Sequence, residues 1–154
     1  MAPLSPPAGM EGHISADRFN SILGETTPLA AYLGIQAERI GVGEAWSRIA
    51  FSPVALRPGG THSGPALMAL VDMCMYAAVL GATGEDPRPL TSNIAITFLR
   101  RPPARDLIAR CRLLSRDSDI AVGSIVIYPE GDETEIVCTS TCTYALPPRA
   151  SEES

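Results

Sequence analysis

The sequence has few aromatic and few charged residues, and its basic residues form no cluster. Aromatic residues make up 5% and charged residues 19% of the chain, and 12 Lys and Arg against 17 Asp and Glu give a net charge of −5. Proteins that bind nucleic acid neutralise phosphates with clustered Lys and Arg, so this composition argues against nucleic acid as a partner. With 154 residues, 45% of them hydrophobic, the chain is long enough to bury the core of one globular domain.

Cysteine and histidine are also scarce, with 4 and 2 residues. The closest cysteines, Cys138 and Cys142, would lie roughly 13 Å apart along a strand, which excludes a disulfide or a shared metal ion. No Cys/His cluster has the spacing of metal ligands, and no P-loop or Rossmann phosphate loop is present. We therefore expect no metal, no cofactor, reduced buried cysteines and a cytoplasmic location.

The ends of the chain differ in composition from its middle. Residues 1–12 are rich in Pro, Gly and Ala, without the basic and apolar segments of a signal peptide, and are predicted to be a flexible tail. Residues 147–154 are predicted to be a second flexible tail, which leaves one domain over residues 13–146. No apolar run reaches the roughly 20 residues that a membrane span needs, so no membrane contact is expected.

The hydrophobic pattern predicts one long helix between groups of strands. This helix is expected to begin at Pro65 and end at Gly81, and it is apolar on all sides, so other structure must surround it. Before it we expect a short helix over residues 15–23 that stops at Gly24, a second helical turn within 27–34, and a hairpin over 35–51.

Four further strands are expected after the long helix, with a spacing typical of an antiparallel meander. An antiparallel sheet that curls around one central helix, an α+β fold, accounts for both the apolar helix and the alternating strands. The predicted strands cover residues 90–99, 107–115, 120–128 and 134–146.

One charged residue, Asp72, interrupts the apolar helix. A buried carboxylate without a partner is costly, so Asp72 needs either a structural partner or a chemical role. From the local pattern alone both readings stay open: a cap or an arginine pair on one side, and catalysis on the other.

The start of the helix is a second candidate, in the segment Thr61-His62-Ser63-Gly64-Pro65. The N–H groups at a helix N-terminus are free, and Gly64 lacks a side chain that would keep a carbonyl oxygen away, as an oxyanion hole requires. A plain Gly-Pro helix start is the alternative. Gly64 and Asp72 would lie about 12 Å apart along the helix, so they cannot touch the same carbonyl. If both are catalytic they come from different subunits, which predicts a homodimer.

These residues resemble a known family. Residues 27–146 resemble the hotdog thioesterases, in particular the phenylacetate-degradation type related to 4-hydroxybenzoyl-CoA thioesterase. The family motif is His-Gly-Gly, six residues and then a catalytic Asp; Ser63-Gly64-Pro65 and Asp72 stand at these places. Leu70-Val71-Asp72 looks like the family's Leu-Ala-Asp, and residues 93–102 resemble its strand that ends in Phe-Leu-Arg-Pro.

The resemblance implies an acyl-CoA thioesterase of hotdog fold that forms dimers, with pairing of dimers into tetramers as a further assembly found in the family. The thioester is expected at the dimer interface, where Gly64 N–H polarises its carbonyl and Asp72 of the other chain acts as nucleophile or as general base. Thr91 stands at the place of a hydroxyl residue that holds the attacking water, or it is an ordinary strand threonine.

The sequence departs from the family motif on the substrate side of the site. Ser63 replaces the motif's His while His62 lies one place early, and Arg57 stands where many relatives carry Asn or Gln. Arg57 could meet a substrate carboxylate or pair with Asp72. Arg100 and Arg101 could bind the phosphates of coenzyme A, or belong to a solvated turn.

Three other functions are considered. A non-catalytic acyl-CoA-binding module fits the departures from the motif. An enoyl-CoA hydratase or dehydratase needs a catalytic His, and His62 is the only histidine outside the N-terminal region. A Ser-His-Asp hydrolase is disfavoured because Ser63 lies one place too late for the nucleophile motif.

Overall fold

The computed structural model describes residues 11–85 and 88–148, so most of both predicted tails lies outside the described residues. The helices are α1 (Ala16–Thr26), α2 (Pro28–Tyr32) and α3 (Gly64–Thr83), and a 3₁₀ turn covers Pro53–Ala55. The strands are β1 (Ile35–Gly41), β2 (Glu44–Ile49), β3 (Leu90–Phe98), β4 (Leu107–Arg116), β5 (Ile120–Pro129) and β6 (Cys138–Ala145).

The strands form one six-stranded antiparallel sheet in the order β1-β2-β4-β5-β6-β3. Helix α3 packs against one face of this sheet, and together they form the predicted α+β hotdog fold. The prediction of a meander of four strands was wrong for β3, which pairs with β6 instead of β4. Because β2 pairs directly with β4, the chain between them crosses the sheet as α3 and returns as β3 at the opposite edge.

The ends of two helices differ from the prediction. Helix α1 continues through Gly24 to Thr26, and α3 begins at Gly64 and continues through Gly81 to Thr83. A β-carbon on Gly81 would lie 2.6 Å from the Cγ2 atom of Ile40, so a glycine there lets α3 approach β1 closely. Gly81 is therefore a packing residue and not a helix stop.

Helix α3 is covered on most of its surface, but one stripe of it remains accessible. Met68 is 42% exposed, and Ala69, Asp72, Met73 and Tyr76 are partly exposed on the same side. The expectation that other structure surrounds the helix completely is wrong for the single subunit. Edge strand β3 beside this stripe is also largely exposed.

By length and composition α3 could cross a membrane, since it has 20 residues and a mean hydropathy of 1.7. The prediction that no apolar run is this long was therefore wrong. However, 67% of that window is buried inside the domain, and core helices pass the same test. The four cysteines are free and buried, as predicted.

Candidate active site

Asp72 lies on the accessible stripe of α3 and is held by two hydroxyl groups from the sheet. Its Oδ1 atom accepts a hydrogen bond from the Thr91 hydroxyl at 2.7 Å and another from the Tyr144 phenol at 2.5 Å. Asp72 is thus neither a loop cap nor the partner of an arginine among the described residues. Its carboxylate is anchored on one oxygen, at a position that remains partly open to solvent.

A β-bulge aims Thr91 at Asp72. The pairing of β3 with β6 shifts between Thr91 and Asn93, so that Thr91 lies opposite Tyr144 and Ile94 lies opposite the buried Cys142. In a regular strand Thr91 and Ile94 would point to opposite faces, because side chains alternate. The extra residue, Ser92, lets both point toward α3.

Tyr144 remains protonated at ordinary pH and can therefore donate a hydrogen bond. Burial raises the pKa of Tyr144, and the charge of the Asp72 carboxylate and the hydrogen bond to it raise the pKa further. The phenol also lies 2.7 Å from the main-chain oxygen of Asp72, so its single proton has two acceptors within reach. Sequence reasoning missed Tyr144; the available signal was an inward-facing tyrosine on a buried strand, which normally needs a polar partner.

A cleft of about 220 Å³ opens beside Asp72. Thr27, Leu29 and Ala30, from α2 and the residue before it, form one wall. The accessible stripe of α3 and Ile94 of β3 form the other. Asp72 and Thr27 supply the polar side chains, and the rest of the lining is apolar. The cleft therefore suits an uncharged organic group that is placed next to a carboxylate.

A second cavity, of about 370 Å³, lies at the N-terminus of α3. It brings together five of the predicted site residues with five neighbours, most of which are apolar. They are Arg57, His62, Gly64, Arg100 and Arg101, beside Thr61, Leu67, Phe98, Leu99 and Pro102.

Ser63 shapes the start of α3. Its hydroxyl oxygen accepts the N–H of Ala66 at 3.2 Å, so its side chain serves as the helix N-cap. Pro65 has no N–H, and no acceptor among the described residues takes the N–H of Gly64. A β-carbon on Gly64 would lie 3.6 Å from the Phe98 ring, an ordinary contact distance, so the space beside Gly64 is not crowded.

His62 lines the same cavity but is only 2% exposed. Its Nε2 atom lies 3.4 Å from the main-chain oxygen of Ala50, and its Nδ1 atom is buried without a partner among the described residues. Burial lowers the pKa of His62, so the imidazole is neutral around pH 7. A neutral ring with one free nitrogen can still bind a polar group that enters the cavity.

Arg57 and Arg101 give this cavity a positive charge. Arg101 donates to the main-chain oxygen of Gly59 at 2.8 Å, and the guanidinium groups of both arginines lie within 4 Å of the β-carbon position of Gly59. In the part of the chain that the structure describes, no carboxylate pairs with Arg57, Arg100 or Arg101. Neighbouring cations without counterions favour an anionic ligand.

The predicted residues thus form two groups in the subunit. Asp72 and Thr91 meet at the first cleft, whereas Gly64, His62 and the arginines line the second cavity. The rise of α3 puts Gly64 and Asp72 about 12 Å apart. Among residues 11–85 and 88–148, no group of three His, Cys, Asp or Glu side chains is arranged to hold a metal ion.

Two comparisons with known proteins point to the same family. The model of the thioesterase superfamily matches residues 59–136, which include Gly64, Asp72 and Thr91. A candidate thioesterase from Silicibacter sp. TM1040, known from its crystal structure, is 37% identical. The match covers 92% of this chain and 97% of that chain, with a TM-score of 0.80. No protein of curated function matches the sequence.

More distant structures share the fold. A thioesterase from Haemophilus influenzae is 18% identical with a TM-score of 0.81, over 94% of this chain and 99% of that chain. The PaaI protein from the phenylacetic acid degradation operon of Escherichia coli is 19% identical with a TM-score of 0.75, over 87% and 94%. At these identities the likeness concerns the fold alone.

Proposed function

The chain belongs to the thioesterase superfamily, and we propose that it hydrolyses acyl-CoA thioesters at a site shared by two subunits. The contact that carries this proposal is the anchored carboxylate of Asp72, which two hydroxyl donors hold at the edge of an apolar cleft. A partly open carboxylate beside an apolar cleft is what a hydrolase needs to activate water next to an acyl group.

Asp72 starts the reaction by one of two routes. As a general base it takes a proton from water while the water oxygen adds to the thioester carbon; the C–S bond then breaks, and the CoA sulfur receives that proton. As a nucleophile it forms an anhydride with the acyl carbon while the C–S bond breaks and the CoA thiolate leaves; water then cleaves the anhydride, and a proton from that water goes to the thiolate. The products are the free acid and CoA in both cases.

Gly64 is proposed to supply the oxyanion donor. Its N–H has no acceptor among the described residues and lies at the positive end of a helix of 20 residues. A thioester oxygen that becomes negative in the transition state is stabilised by such a preorganised donor.

Two subunits are needed because these groups lie about 12 Å apart along one helix. The surface that would join the subunits is the accessible stripe of α3 together with edge strand β3. Met68 is 42% and Phe98 is 49% exposed in the single subunit, and an edge strand offers unpaired backbone groups. We therefore propose a homodimer in which Gly64 of one subunit faces Asp72 of the other. Two dimers could further form a tetramer.

The substrate is proposed to be an acyl-CoA because the two cavities differ in chemistry. The cleft beside Asp72 is apolar and suits an acyl group, whereas the cavity with Arg57, Arg100 and Arg101 is cationic and suits the phosphates of CoA. His62 would bind a polar group of the thioester or of the pantetheine arm there, and Ser63 supports the site through its helix cap. The four buried, free cysteines fit a reducing compartment, so we propose a cytoplasmic location.

A binding module without catalysis is the second candidate. It is favoured by one observation: Ser63 uses its hydroxyl as a helix cap and His62 is buried, so the catalytic motif's imidazole has no exposed replacement. Both functions predict that acyl-CoA binds, but only the thioesterase predicts that it is turned over. A hydratase adds water across the C=C bond of an enoyl-CoA and releases no thiol, so a separate hydration assay on an enoyl-CoA would detect it.

The test is release of free thiol from a panel of acyl-CoAs by the wild type and by Asp72→Asn. We expect the variant to lose at least about a hundredfold in kcat, because a carboxamide cannot accept a proton or attack the thioester. Asp17→Asn, an exposed carboxylate on α1, is the matched control. Wild-type binding without thiol release would establish the binding module instead. The mass of each protein in solution must be measured beside activity, since the shared site requires a dimer.

A further inference from the structure

We propose that Tyr144 is a positioning residue: together with Thr91 it fixes Oδ1 of Asp72 and leaves Oδ2 as the oxygen that reacts. This inference rests on the proposed role of Asp72. Both donors act on the same oxygen, at 2.5 Å from the phenol and 2.7 Å from the threonine hydroxyl. They come from two neighbouring strands, whereas the carboxylate comes from α3.

The choice of oxygen follows from the geometry of a carboxylate. Each carboxylate oxygen has about two sites for hydrogen bonds, and two hydroxyl donors occupy both sites on Oδ1. No donor among the described residues contacts Oδ2. Oδ2 therefore keeps its lone pairs for a water or an acyl carbon, while Oδ1 is satisfied by the protein.

The strand register makes this anchor rigid. Tyr144 is 3% exposed, and it lies directly between Thr91 of β3 and Ala121 of β5 in the antiparallel sheet. A buried aromatic ring on a strand that is paired on both sides has little freedom, so its hydroxyl oxygen is held at one place. A carboxylate that is held at one position by such a donor needs less free energy to reach the reactive geometry.

Tyr144 can also serve both charge states of Asp72. The phenol can donate to Oδ1 whether Asp72 is ionised or holds a proton on Oδ2, and the main-chain oxygen of Asp72, 2.7 Å away, is a second acceptor for the phenol proton. Neither state leaves a buried donor without an acceptor, which would be costly. This arrangement suits a carboxylate that gains and loses a proton in each cycle.

A purely structural role is the competing explanation. If Tyr144 only fastens α3 to the sheet, loss of its hydroxyl lowers stability and leaves the reaction of Asp72 unchanged. Tyr128 provides the matched control, because it is also a buried tyrosine, at 5% exposure, but lies on β5 and lines neither cavity.

The experiment measures kcat and KM against pH for Tyr144→Phe, Thr91→Val, Thr91→Ser and the control Tyr128→Phe, each as the intact assembly. For Tyr144→Phe we expect kcat to fall about tenfold while KM stays within about twofold, because a hydrogen bond to a charged group is lost. The acidic limb of the kcat profile should move to higher pH, since a carboxylate that loses a donor is protonated more easily. Thr91→Val should shift the acidic limb in the same direction. Thr91→Ser, which keeps a hydroxyl group, should leave the acidic limb where it is in the wild type.

The outcomes separate this inference from the proposed function. If Tyr144→Phe matches Tyr128→Phe in kcat and in the acidic limb, while Asp72→Asn is inactive, Tyr144 has no positioning role and the proposed function stands. If Asp72→Asn keeps full activity, or the wild type releases no thiol, both proposals fail. If Tyr144→Phe does not fold, Thr91→Val decides: an unchanged acidic limb overturns the anchor, and a shifted limb supports it.

Discussion

Gly81 of α3 and Gly41 of β1 touch so closely that a β-carbon on Gly81 would overlap the carbonyl oxygen of Gly41. The same β-carbon would lie 2.6 Å from Ile40 Cγ2. Main-chain atoms at the end of a paired strand cannot move aside cheaply, so the helix depends on a residue without a side chain here.

Gly81→Ala should therefore destabilise the domain by about 2 kcal/mol or more, as overpacking of a buried contact does. Gly24→Ala is the matched control, since Gly24 lies inside α1 with nothing within 4 Å of its β-carbon position. That control should raise stability by about 0.5–1 kcal/mol, because alanine favours helix over glycine. Urea unfolding of both variants measures the difference, and equal effects would contradict the packing role of Gly81.

Gly64→Ala should lower activity while the fold is preserved. Its β-carbon would meet only the Phe98 ring at 3.6 Å, an ordinary contact, but it would stand beside the N–H that is proposed to bind the thioester oxygen. We expect kcat/KM to fall by about tenfold to a hundredfold, at or below the lower end of the range for complete loss of an oxyanion donor, because the variant keeps the N–H and hinders only the approach to it. Steady-state kinetics with a melting curve tests this; unchanged kinetics would remove Gly64 from the site.

Ala69→Leu should change which acyl groups are accepted. Ala69 lines the cleft of about 220 Å³ beside Asp72, and a leucine there would fill part of it. The ratio of kcat/KM for long over short acyl-CoAs should fall about tenfold, as expected when a pocket loses the space of a methylene or two. Ala31→Leu, on the exposed side of α2, is the control that should leave the ratio unchanged. The same ratio in both variants would mean that the acyl group lies elsewhere.

His62 should make the domain less stable in acid. Burial lowers the pKa of His62 from its ordinary value of 6.5, so the unfolded chain binds a proton more readily than the folded one. Stability from this residue is present above pH 6.5 and is lost as the pH falls through 6.5 toward the lower folded value. His62→Gln should remove this part of the pH dependence, and His13→Gln should not. Urea unfolding at pH 5 to 8 measures the free energy of unfolding of each variant. The NMR signals of the two histidine rings show which of them titrates in that range.

Local patterns in the sequence were sufficient for the main elements. The apolar run of α3 and the alternating strands each depend on neighbouring residues, so they predicted an antiparallel sheet around one central helix. The family resemblance added the α+β hotdog fold, which the structure confirms. The distance of about 12 Å between Gly64 and Asp72 also followed from the sequence, because the rise per residue of an α-helix is fixed. The position of β3 in the sheet was not predictable from local patterns, because pairing with any antiparallel neighbour is compatible with the same alternation of side chains.

The sequence by itself determined the main elements, the buried cysteines and the separation of Gly64 from Asp72 along one helix. Only the tertiary structure decided what surrounds Asp72. Tyr144 lies 72 residues away along the chain, and the bulge at Ser92 that turns Thr91 inward exists only in the pairing of β3 with β6. Contacts between distant segments depend on which strands pair and in which register, and no local pattern of residues specifies that.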